Sequence, residues 1–326
     1  MKQKTSEKIT QYIQSHKQAT AKELLDYLAM SPRAVFKQLA NLLEKGEITK
    51  IGRPPKVFYS LAKISVLSPE LYEIEKKTEK AIENNFLIIT PAGEKKEGLD
   101  GFIYWCRKNN QPISKTAKEY AKTLKKYDAF KKNGLIDGMR KMESTFKKVY
   151  LDGLFYLDFY SIERFGKTKL GQLLLYAKQS QNKILMKDLI ISIKPQIDFI
   201  VKKFNIDAIG FIPPTVKRET QFMKELQKNL RLEIPVIPII KVKTPIAVPQ
   251  KTLNKLEDRI ENARKTIIIE GTVSHKNILF IDDAVGSGAT LNETAGQLRA
   301  KGMAKGKIIG LVITGSYKGF DVISEV

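Results

Sequence analysis

Cysteine, histidine and tryptophan are almost missing from this chain of 326 residues, which contains one cysteine, two histidines and one tryptophan. Cys106 has no second cysteine to pair with, so an intramolecular disulfide and a zinc site built from several cysteines are both excluded. Histidine occurs only at His16 and His275, so metal sites and catalytic triads that depend on histidine are not expected. Acid–base chemistry in this protein would therefore use aspartate, glutamate, lysine or tyrosine.

Long apolar runs are missing as well. No run of apolar residues reaches the length that crosses a bilayer. The first seven residues are too polar to resemble a signal peptide. The sequence therefore predicts a cytoplasmic protein with no membrane partner.

Acidic residues are outnumbered by basic ones, 35 against 57, which gives a net charge of +22 and a pI near 9.7. Such a charge favours an anionic partner such as a nucleic acid or a nucleotide. The excess is spread along the whole chain, as a generally lysine-rich composition would also give. The charge by itself therefore does not identify the partner.

The first 61 residues contain three helical patterns followed by two strand patterns. A capping box at Thr20–Glu23 and the pair Ser31-Pro32 predict the starts of the second and third helices. Gly46 predicts the end of the third, and strands are expected at 48–51 and 56–61. This order resembles a winged helix–turn–helix, although small helical domains of this kind also mediate protein contacts.

The resemblance to a winged helix–turn–helix implies duplex DNA as a partner. Basic and amide side chains recur every four residues along the third helix, and two more basic residues flank the expected wing. Arginine and lysine contact phosphates or guanine, and asparagine can bind adenine. The predicted DNA-binding residues are Arg33, Lys37, Asn41, Arg53 and Lys56.

Residues 62–150 are rich in lysine and mostly helical in pattern, so they predict a mainly helical connector. One of its helices is expected to begin at Ser114 and to end at Asn133-Gly134. The aromatic cluster at 102–106 is expected to pack this connector, with stacking on bases as the alternative. Because helix–turn–helix proteins commonly bind two half-sites, a homodimer joined through the connector is an expected assembly.

From about residue 151 the pattern changes to apolar strands that alternate with helices, which predicts a parallel sheet covered on both faces. Strands are expected at 206–213, 234–242, 278–283 and 308–316, and helices at 216–230 and 290–301, with a long polar segment over 243–275. The fold class is therefore α/β. The predicted domains are 1–61, 62–150 and 151–326.

The stretch 278–291 carries the strongest chemical signal. Four apolar residues end in Asp282 and Asp283, and a loop of small residues then leads into a helix. Ligands bind at the carboxyl ends of strands in open α/β sheets. A loop without bulky side chains, followed by a helix N-terminus, can surround a phosphate with backbone N–H groups. The pattern therefore indicates a site for a phosphorylated sugar.

Two other interpretations of this stretch stay open. An ordinary strand, turn and capped helix would explain the helix but not the two adjacent acids. A nucleotide hydrolase would use the acidic strand to hold Mg²⁺, but it needs an upstream P-loop. The only candidate is 161–168, which ends in Gly-Lys-Thr but begins with serine and contains bulky residues.

Strand, acids and loop together resemble the signature of the type I phosphoribosyltransferases, which bind 5-phosphoribosyl-1-pyrophosphate (PRPP) with Mg²⁺. The resemblance implies that Asp282 and Asp283 face the ribose hydroxyls and the Mg²⁺-bound ligand. It also implies that the loop holds the 5′-phosphate, with hydroxyls from Ser287 and Thr290. The implied PRPP-binding residues are Asp282, Asp283, Ala284, Val285, Gly286, Ser287, Gly288, Ala289, Thr290, Lys217, Arg218, Lys251 and Arg259.

Over about 155–326 the layout is similar to the competence-associated ComF-type phosphoribosyltransferases. Three segments carry the similarity, at 165–178, 212–218 and 249–262. In that family the second is the pyrophosphate loop and the third is a mobile loop, so Lys251 and Arg259 would close over the ligand. The sequence after Arg218 departs from the family, and the winged helix stands where the family has a cysteine-rich zinc module.

The combination of the two modules favours a DNA-binding regulator whose phosphoribosyltransferase domain senses PRPP or a nucleotide. This order of domains resembles the purine-operon repressors of Gram-positive bacteria. The alternative is a phosphoribosyltransferase of nucleotide salvage or DNA uptake, anchored to nucleic acid by the winged helix. A third hypothesis is a competence factor in which the pocket is vestigial.

Overall fold

The computed structural model describes residues 4–16, 18–53, 56–62, 73–214, 218–242, 244–246, 248 and 252–317, with the side chains at 51–53 and 56 left out. The chain divides into two compact units, Met1–Glu73 and Ile74–Val326. The expected connector, from Ile74 on, thus belongs to the second unit, and the domain boundary at 150 stays a prediction. Among the residues described, none of the helices is long and apolar enough to cross a bilayer.

The first unit contains three helices and a small antiparallel sheet with strand order β1-β3-β2. Its elements are α1 (Thr5–His16), β1 (Ala19–Thr20), α2 (Ala21–Leu28), α3 (Pro32–Glu44), β2 (Ile48–Arg53) and β3 (Lys56–Leu61). The capping box is present, since the Thr20 hydroxyl accepts from the Glu23 N–H while the Glu23 carboxylate accepts from the Thr20 N–H. The Ser31 hydroxyl likewise accepts from Ala34 N–H, so both predicted helix starts are confirmed.

Residues 74–150 begin the second unit and are mainly helical, as predicted. The elements are α4 (Lys76–Asn85), β4 (Leu87–Ile89), β5 (Lys95–Glu97), α5 (Gly98–Lys108), α6 (Ile113–Asp128), β6 (Lys131–Lys132), β7 (Leu135–Asp137) and α7 (Met139–Thr145). Phe102 is fully buried, and its ring contacts those of Phe86 and Tyr120. Cys106 beside them is also buried, and burial raises the pKa of its thiol to about 11. The aromatic cluster therefore packs the interior of this region.

The pair Asn133-Gly134, which the helical pattern of the connector predicted as a helix end, instead forms the turn of a β-hairpin. Both residues have positive φ, at 52° and 76°, as a two-residue hairpin turn of this kind requires. The turn pairs Lys132 with Leu135. β7 then pairs with the main sheet of the second unit, so the expected connector supplies two strands to that sheet.

The remainder of the second unit alternates strands and helices. It contains β8 (Gly153–Phe159), β9 (Ser161–Ile162), a 3₁₀ turn (Glu163–Phe165), β10 (Gly166–Lys167), α8 (Lys169–Ser180), α9 (Lys183–Lys203), β11 (Ala208–Phe211), α10 (Phe222–Leu230), β12 (Val236–Ile237), β13 (Ile239–Lys241), α11 (Leu256–Thr266), β14 (Ile267–Ile269), β15 (Ile278–Ala284), α12 (Ala289–Ala300) and β16 (Ile308–Gly315). The main sheet has the order β12-β11-β15-β16-β8-β7-β6. Its first five strands are parallel, and β7 and β6 are antiparallel additions.

The order of the parallel strands divides the helices between the two faces of the sheet. The connections from β8 to β11 and from β11 to β12 run in one direction, whereas those from β12 to β15 and β16 run in the other. Right-handed crossovers therefore put α8, α9 and α10 on one face and α11 and α12 on the opposite face. Leu279, Ile281 and Leu311 pack with the buried residues of α8, α9 and α10. The direction changes between β11 and β15, the switch point at which such sheets bind ligands.

Three expectations for this region are corrected. The strand expected over 234–242 is broken at Pro238, because proline has no N–H for a ladder hydrogen bond, and its halves join different sheets. The polar segment over 243–275 contains α11 and β14. The long helix α9 was missed, although Met186, Leu189, Ile193 and Ile197 are buried at helical spacing.

Candidate functional site

A cleft of about 250 Å³ opens at the carboxyl ends of β11 and β15. Pro213 and Pro214 follow the first strand, and Asp282, Asp283 and the loop 284–290 follow or end the second. Helix α8, the start of α10, β13 and α11 supply the other walls. The switch point of the sheet, the acids and the small-residue loop thus meet in one place.

The two acids of the cleft have different electrostatic environments. Lys178 Nζ forms an ion pair with Asp283 Oδ2 at 2.8 Å, and both side chains are 17% exposed. Burial raises the pKa of the Asp282 carboxyl above its ordinary value, and the charge of Asp283 raises it further, against the opposing effects of the Asp283 N–H, Lys178 and Lys241. Asp282 Oδ1 also accepts a hydrogen bond from the Asp283 N–H at 2.8 Å. Asp283 is therefore the member of the pair that is bound to a lysine, and Asp282 is held towards its neutral form.

The loop after β15 turns into helix α12 through Gly288, which has a φ of 81° and precedes the first helical residue. The N–H of Val285 donates to Thr314 O at 3.2 Å, so this residue ties the loop to β16. The Ser287 hydroxyl accepts from Ala289 N–H at 3.3 Å, and its own O–H can still donate. The part of the loop suited to a phosphate is therefore 286–290, at the positive end of α12.

Two arginines add positive charge to this cleft. Arg218 lines it, and its Nη1 donates to Lys178 O at 3.0 Å. Arg259 is only 5% exposed, and its Nε donates to Leu253 O at 2.6 Å. A Cβ added at Gly286 would lie 3.5 Å from Arg259 Nη1, so the guanidinium lies against the loop. Arg259 was expected on a mobile loop, but it lies within helix α11.

The cleft also contains polar side chains that were not predicted as site residues, among them Lys178, Lys241 and Tyr160. Lys241 is a lysine in the apolar strand Ile239–Lys241, and Tyr160 follows directly after β8. A charged or polar residue at the end of an apolar strand was the signal that would have found both.

The predicted PRPP-binding residues fall into two groups. Those that line the cleft are Asp282, Asp283, Ala284, Val285, Gly286, Ser287, Gly288, Ala289, Thr290, Arg218 and Arg259. Lys217 and Lys251 lie outside the described residues. The roles of all these side chains towards a ligand stay predictions.

The segment 161–168, the rival P-loop, forms the short β9–β10 hairpin with a 3₁₀ turn. Glu163 pairs with Lys126 at 2.6 Å, and Arg164 pairs with Glu119. The Thr168 hydroxyl caps helix α8 by accepting from Gly171 N–H at 3.1 Å. These side chains are committed to structural contacts, so this hairpin does not form a phosphate-binding loop.

The expected Mg²⁺ does not fit a site made by the protein alone. Mg²⁺ is commonly held by one or two carboxylates together with water and substrate phosphates. In this cleft the Asp283 carboxylate already binds the Lys178 ammonium, and Asp282 is held towards its neutral form. Across the part of the chain that the structure describes, no three aspartate, glutamate, histidine or cysteine side chains are grouped to hold a metal.

In the first unit, the three residues predicted on the third helix lie on one exposed face of α3. Arg33, Lys37 and Asn41 are exposed, whereas Val35 and Leu39 are buried. Arg53 and Lys56 are Cα partners at the ends of β2 and β3, but their side chains are not described. Phe36, which is 50% exposed on the same face, was not predicted.

Comparisons with known proteins give limited information. No protein-family model matches the sequence, and no curated protein is significantly similar to it. A hypoxanthine-guanine phosphoribosyltransferase from Bacillus anthracis is structurally similar over 41% of this chain and 70% of its own, with 15% identity and a TM-score of 0.27. A hypoxanthine phosphoribosyltransferase from Staphylococcus aureus is similar over 41% of this chain and 66% of its own, with 14% identity and a TM-score of 0.25. Likeness at such TM-scores does not assign a function to this chain.

Proposed function

We propose that the second unit is a phosphoribosyltransferase-type domain that binds PRPP, or a related phosphorylated ribose, and transfers the phosphoribosyl group of PRPP to a nitrogenous acceptor with release of pyrophosphate. The observation that supports this most is the meeting of the acid pair and the small-residue loop in one cleft, at the switch point of a parallel sheet. The acids suit the ribose hydroxyls, and the loop with Arg259 suits the 5′-phosphate. Arg218 suits the pyrophosphate, and any Mg²⁺ would arrive bound to the ligand.

The raised pKa of Asp282 supports an enzyme more than a passive binding site. A carboxyl group whose pKa is moved towards neutral by burial and by a neighbouring acid is a common feature of catalytic sites. In its ionised form such a group is a stronger base than an ordinary carboxylate, and it can accept a proton from an acceptor amine as the new bond to ribose forms. The geometry of the cleft therefore supports the alternative hypothesis, a phosphoribosyltransferase, more than it supports a DNA-binding regulator.

The transferase proposal predicts pyrophosphate release from PRPP that depends on an added base or amine. In the full chain, Asp283→Asn should lower this rate by about 100-fold, equal to about 2.7 kcal/mol of transition-state stabilisation. A coupled pyrophosphatase assay over a panel of purines, pyrimidines and amines measures it. Asp258→Asn, which alters an exposed acid on α11, is the matched control and should keep the wild-type rate. PRPP binding without turnover with any acceptor would contradict an enzyme and favour a sensor.

A second candidate function is DNA binding by the first unit, proposed as a winged helix–turn–helix that makes the whole chain a regulator. The exposed face of α3 supports it, since it presents Arg33, Lys37 and Asn41 away from the core. Phe36 on this face could contact a thymine methyl group. In this reading the ligand of the second unit would alter DNA affinity.

The DNA-binding proposal predicts salt-sensitive binding of duplex DNA by the full chain. Lys37→Ala should weaken binding and lower the slope of log affinity against log salt by about 1, because one phosphate contact is lost. Fluorescence anisotropy at several salt concentrations measures both quantities. Lys8→Ala, which alters an exposed lysine on α1, should leave them unchanged. Equal slopes for Lys37→Ala and wild type would argue against α3 as the contact.

A further inference from the structure

The charges that line the cleft are unequal in number. Among the described residues, the lining contains four basic side chains, Lys178, Arg218, Lys241 and Arg259, and two acidic ones, Asp282 and Asp283. These side chains carry an excess of two positive charges when both acids are ionised, and of three when Asp282 is neutral. A phosphate monoester carries close to two negative charges at neutral pH. The positive excess of the described lining is thus enough to balance a singly phosphorylated ribose without any metal ion.

Lys178 is fixed in place by contacts at both ends of the residue. Its ammonium pairs with Asp283 at 2.8 Å, and its backbone oxygen accepts from Arg218 Nη1 at 3.0 Å. It lies in the last turn of α8, whose residues Leu174 and Ala177 are buried against the sheet. The Lys178 ammonium therefore stays beside the Asp283 carboxylate and neutralises it, as a divalent cation would otherwise do. Lys178 also connects the acid pair with Arg218.

Lys241 supplies a second ammonium, from the wall that β13 forms. It ends β13, where Ile240 faces outwards and is 40% exposed while Lys241 lines the cleft. Burial lowers the pKa of this lysine, and the nearby Asp282 carboxyl raises it. Lys178 thus pairs with Asp283, and Lys241 adds a second positive charge to the cleft that Asp282 lines.

We propose that Lys178 and Lys241 take the place of a divalent cation, so that the cleft binds a singly phosphorylated ribose, either ribose 5-phosphate or a nucleoside 5′-monophosphate, without metal. This inference rests on the proposed function, since it assigns the ribose to the acid pair and the phosphate to the loop 286–290 with Arg259. PRPP carries additional pyrophosphate charges that exceed the excess of the cleft, so its binding still benefits from Mg²⁺.

Isothermal titration calorimetry of the full chain tests the proposal with ribose 5-phosphate and with AMP and GMP, each in EDTA and in Mg²⁺. The dissociation constants of the monophosphates should agree within about threefold between the two buffers, whereas that of PRPP should improve by about tenfold or more with Mg²⁺. Comparison of ribose 5-phosphate with the nucleotides shows which of the two sources of a ribose phosphate binds better.

Lys178→Met gives the sharpest test because it leaves Asp283 as an uncompensated anion beside the ligand. In EDTA its affinity for ribose 5-phosphate should fall by about 10- to 100-fold, the effect of losing one charge-assisted contact, and Mg²⁺ should restore much of it. Lys178→Arg should retain metal-independent binding. Lys187→Met, at an exposed position of α9, should behave as wild type. The double variant Lys178→Met/Asp283→Asn removes both charges, and it should fold and bind weakly in either buffer.

Two outcomes would overturn the inference. One is wild-type binding of the monophosphates only in Mg²⁺, and the other is unchanged affinity of Lys178→Met in EDTA. In both cases PRPP binding with Mg²⁺ would leave the proposed function standing. Failure of every ligand, including PRPP with Mg²⁺, would instead remove the proposed function itself.

Discussion

Asp282→Asn should melt at a higher temperature than the wild-type protein at pH 8, although the substitution removes a residue of the proposed site. The wild-type carboxyl is buried beside Asp283, and both burial and that neighbour raise its pKa in the folded chain. A difference of one pKa unit between folded and unfolded chains corresponds to about 1.4 kcal/mol. For a unit of this size that is roughly 3–5 °C in melting temperature. Asparagine removes the cost of the charge and can still accept the Asp283 N–H with its Oδ1.

The sign of the effect follows from proton binding. In the unfolded chain Asp282 ionises near its ordinary pKa, about 3.9, and in the folded chain it ionises at higher pH. Between these values the folded state binds more protons, so the free energy of unfolding decreases as pH rises through this window. The advantage of Asp282→Asn should therefore be near zero at about pH 4 and largest above the folded pKa.

Calorimetric or fluorescence melts of both proteins from pH 4 to pH 9 measure the difference, and Asp258→Asn serves as the control. The same variant should lose stabilisation by PRPP, which for a ligand at 100 times its dissociation constant is about 2.7 kcal/mol in the wild type. A residue that weakens the fold and is required by the ligand is the usual mark of a functional site. Equal melting temperatures of the wild type and Asp282→Asn at pH 8 would show that burial and Asp283 do not make the Asp282 charge costly.

Gly171→Ala should be strongly destabilising, even though the same change inside a helix usually stabilises by up to about 1 kcal/mol. A Cβ at Gly171 would lie only 2.2 Å from the backbone oxygen of Tyr160. That oxygen cannot easily move, because it accepts from the Thr168 N–H at 3.1 Å, and the Thr168 hydroxyl is bonded to Phe159 O at 2.7 Å. We expect a loss of about 3 kcal/mol, as for an overpacked core, and a fall in melting temperature of roughly 6–12 °C.

The substitution should also weaken ligand binding in the cleft, because Tyr160 lines the cleft and α8 carries Lys178. Chemical denaturation and ligand titration of Gly171→Ala measure the two effects separately. Gly286→Ala is the matched control for stability, since among the described residues its Cβ would meet only Arg259 Nη1, at an ordinary contact distance of 3.5 Å. Its melting temperature should stay within about 2 °C of wild type. A stable Gly171→Ala protein would mean that α8 can move away from the end of β8.

Local sequence rules predicted the parts of this protein whose structure depends on short-range interactions. The starts of α2 and α3 follow from capping hydroxyls. Each hydroxyl accepts a hydrogen bond from the backbone N–H three residues further along the chain. The apolar run of β15 and the small loop after it follow from burial on both faces and from the absence of bulky side chains. The turn Asn133-Gly134 obeys an equally local rule, but asparagine and glycine also end helices, so the sequence alone predicted a helix end there.

The tertiary structure decided which of these elements share a site and in what state of charge. The sequence by itself determined that an acid pair ends a buried strand ahead of a small-residue loop. It did not determine that Lys178, more than 100 positions earlier, would neutralise Asp283, or that Arg259 would lie on a helix against Gly286. Contacts of this kind depend on the strand order and on the crossovers that bring α8 and α11 to one edge of the sheet. Local sequence patterns do not determine the strand order, because it is set by the packing of the whole unit.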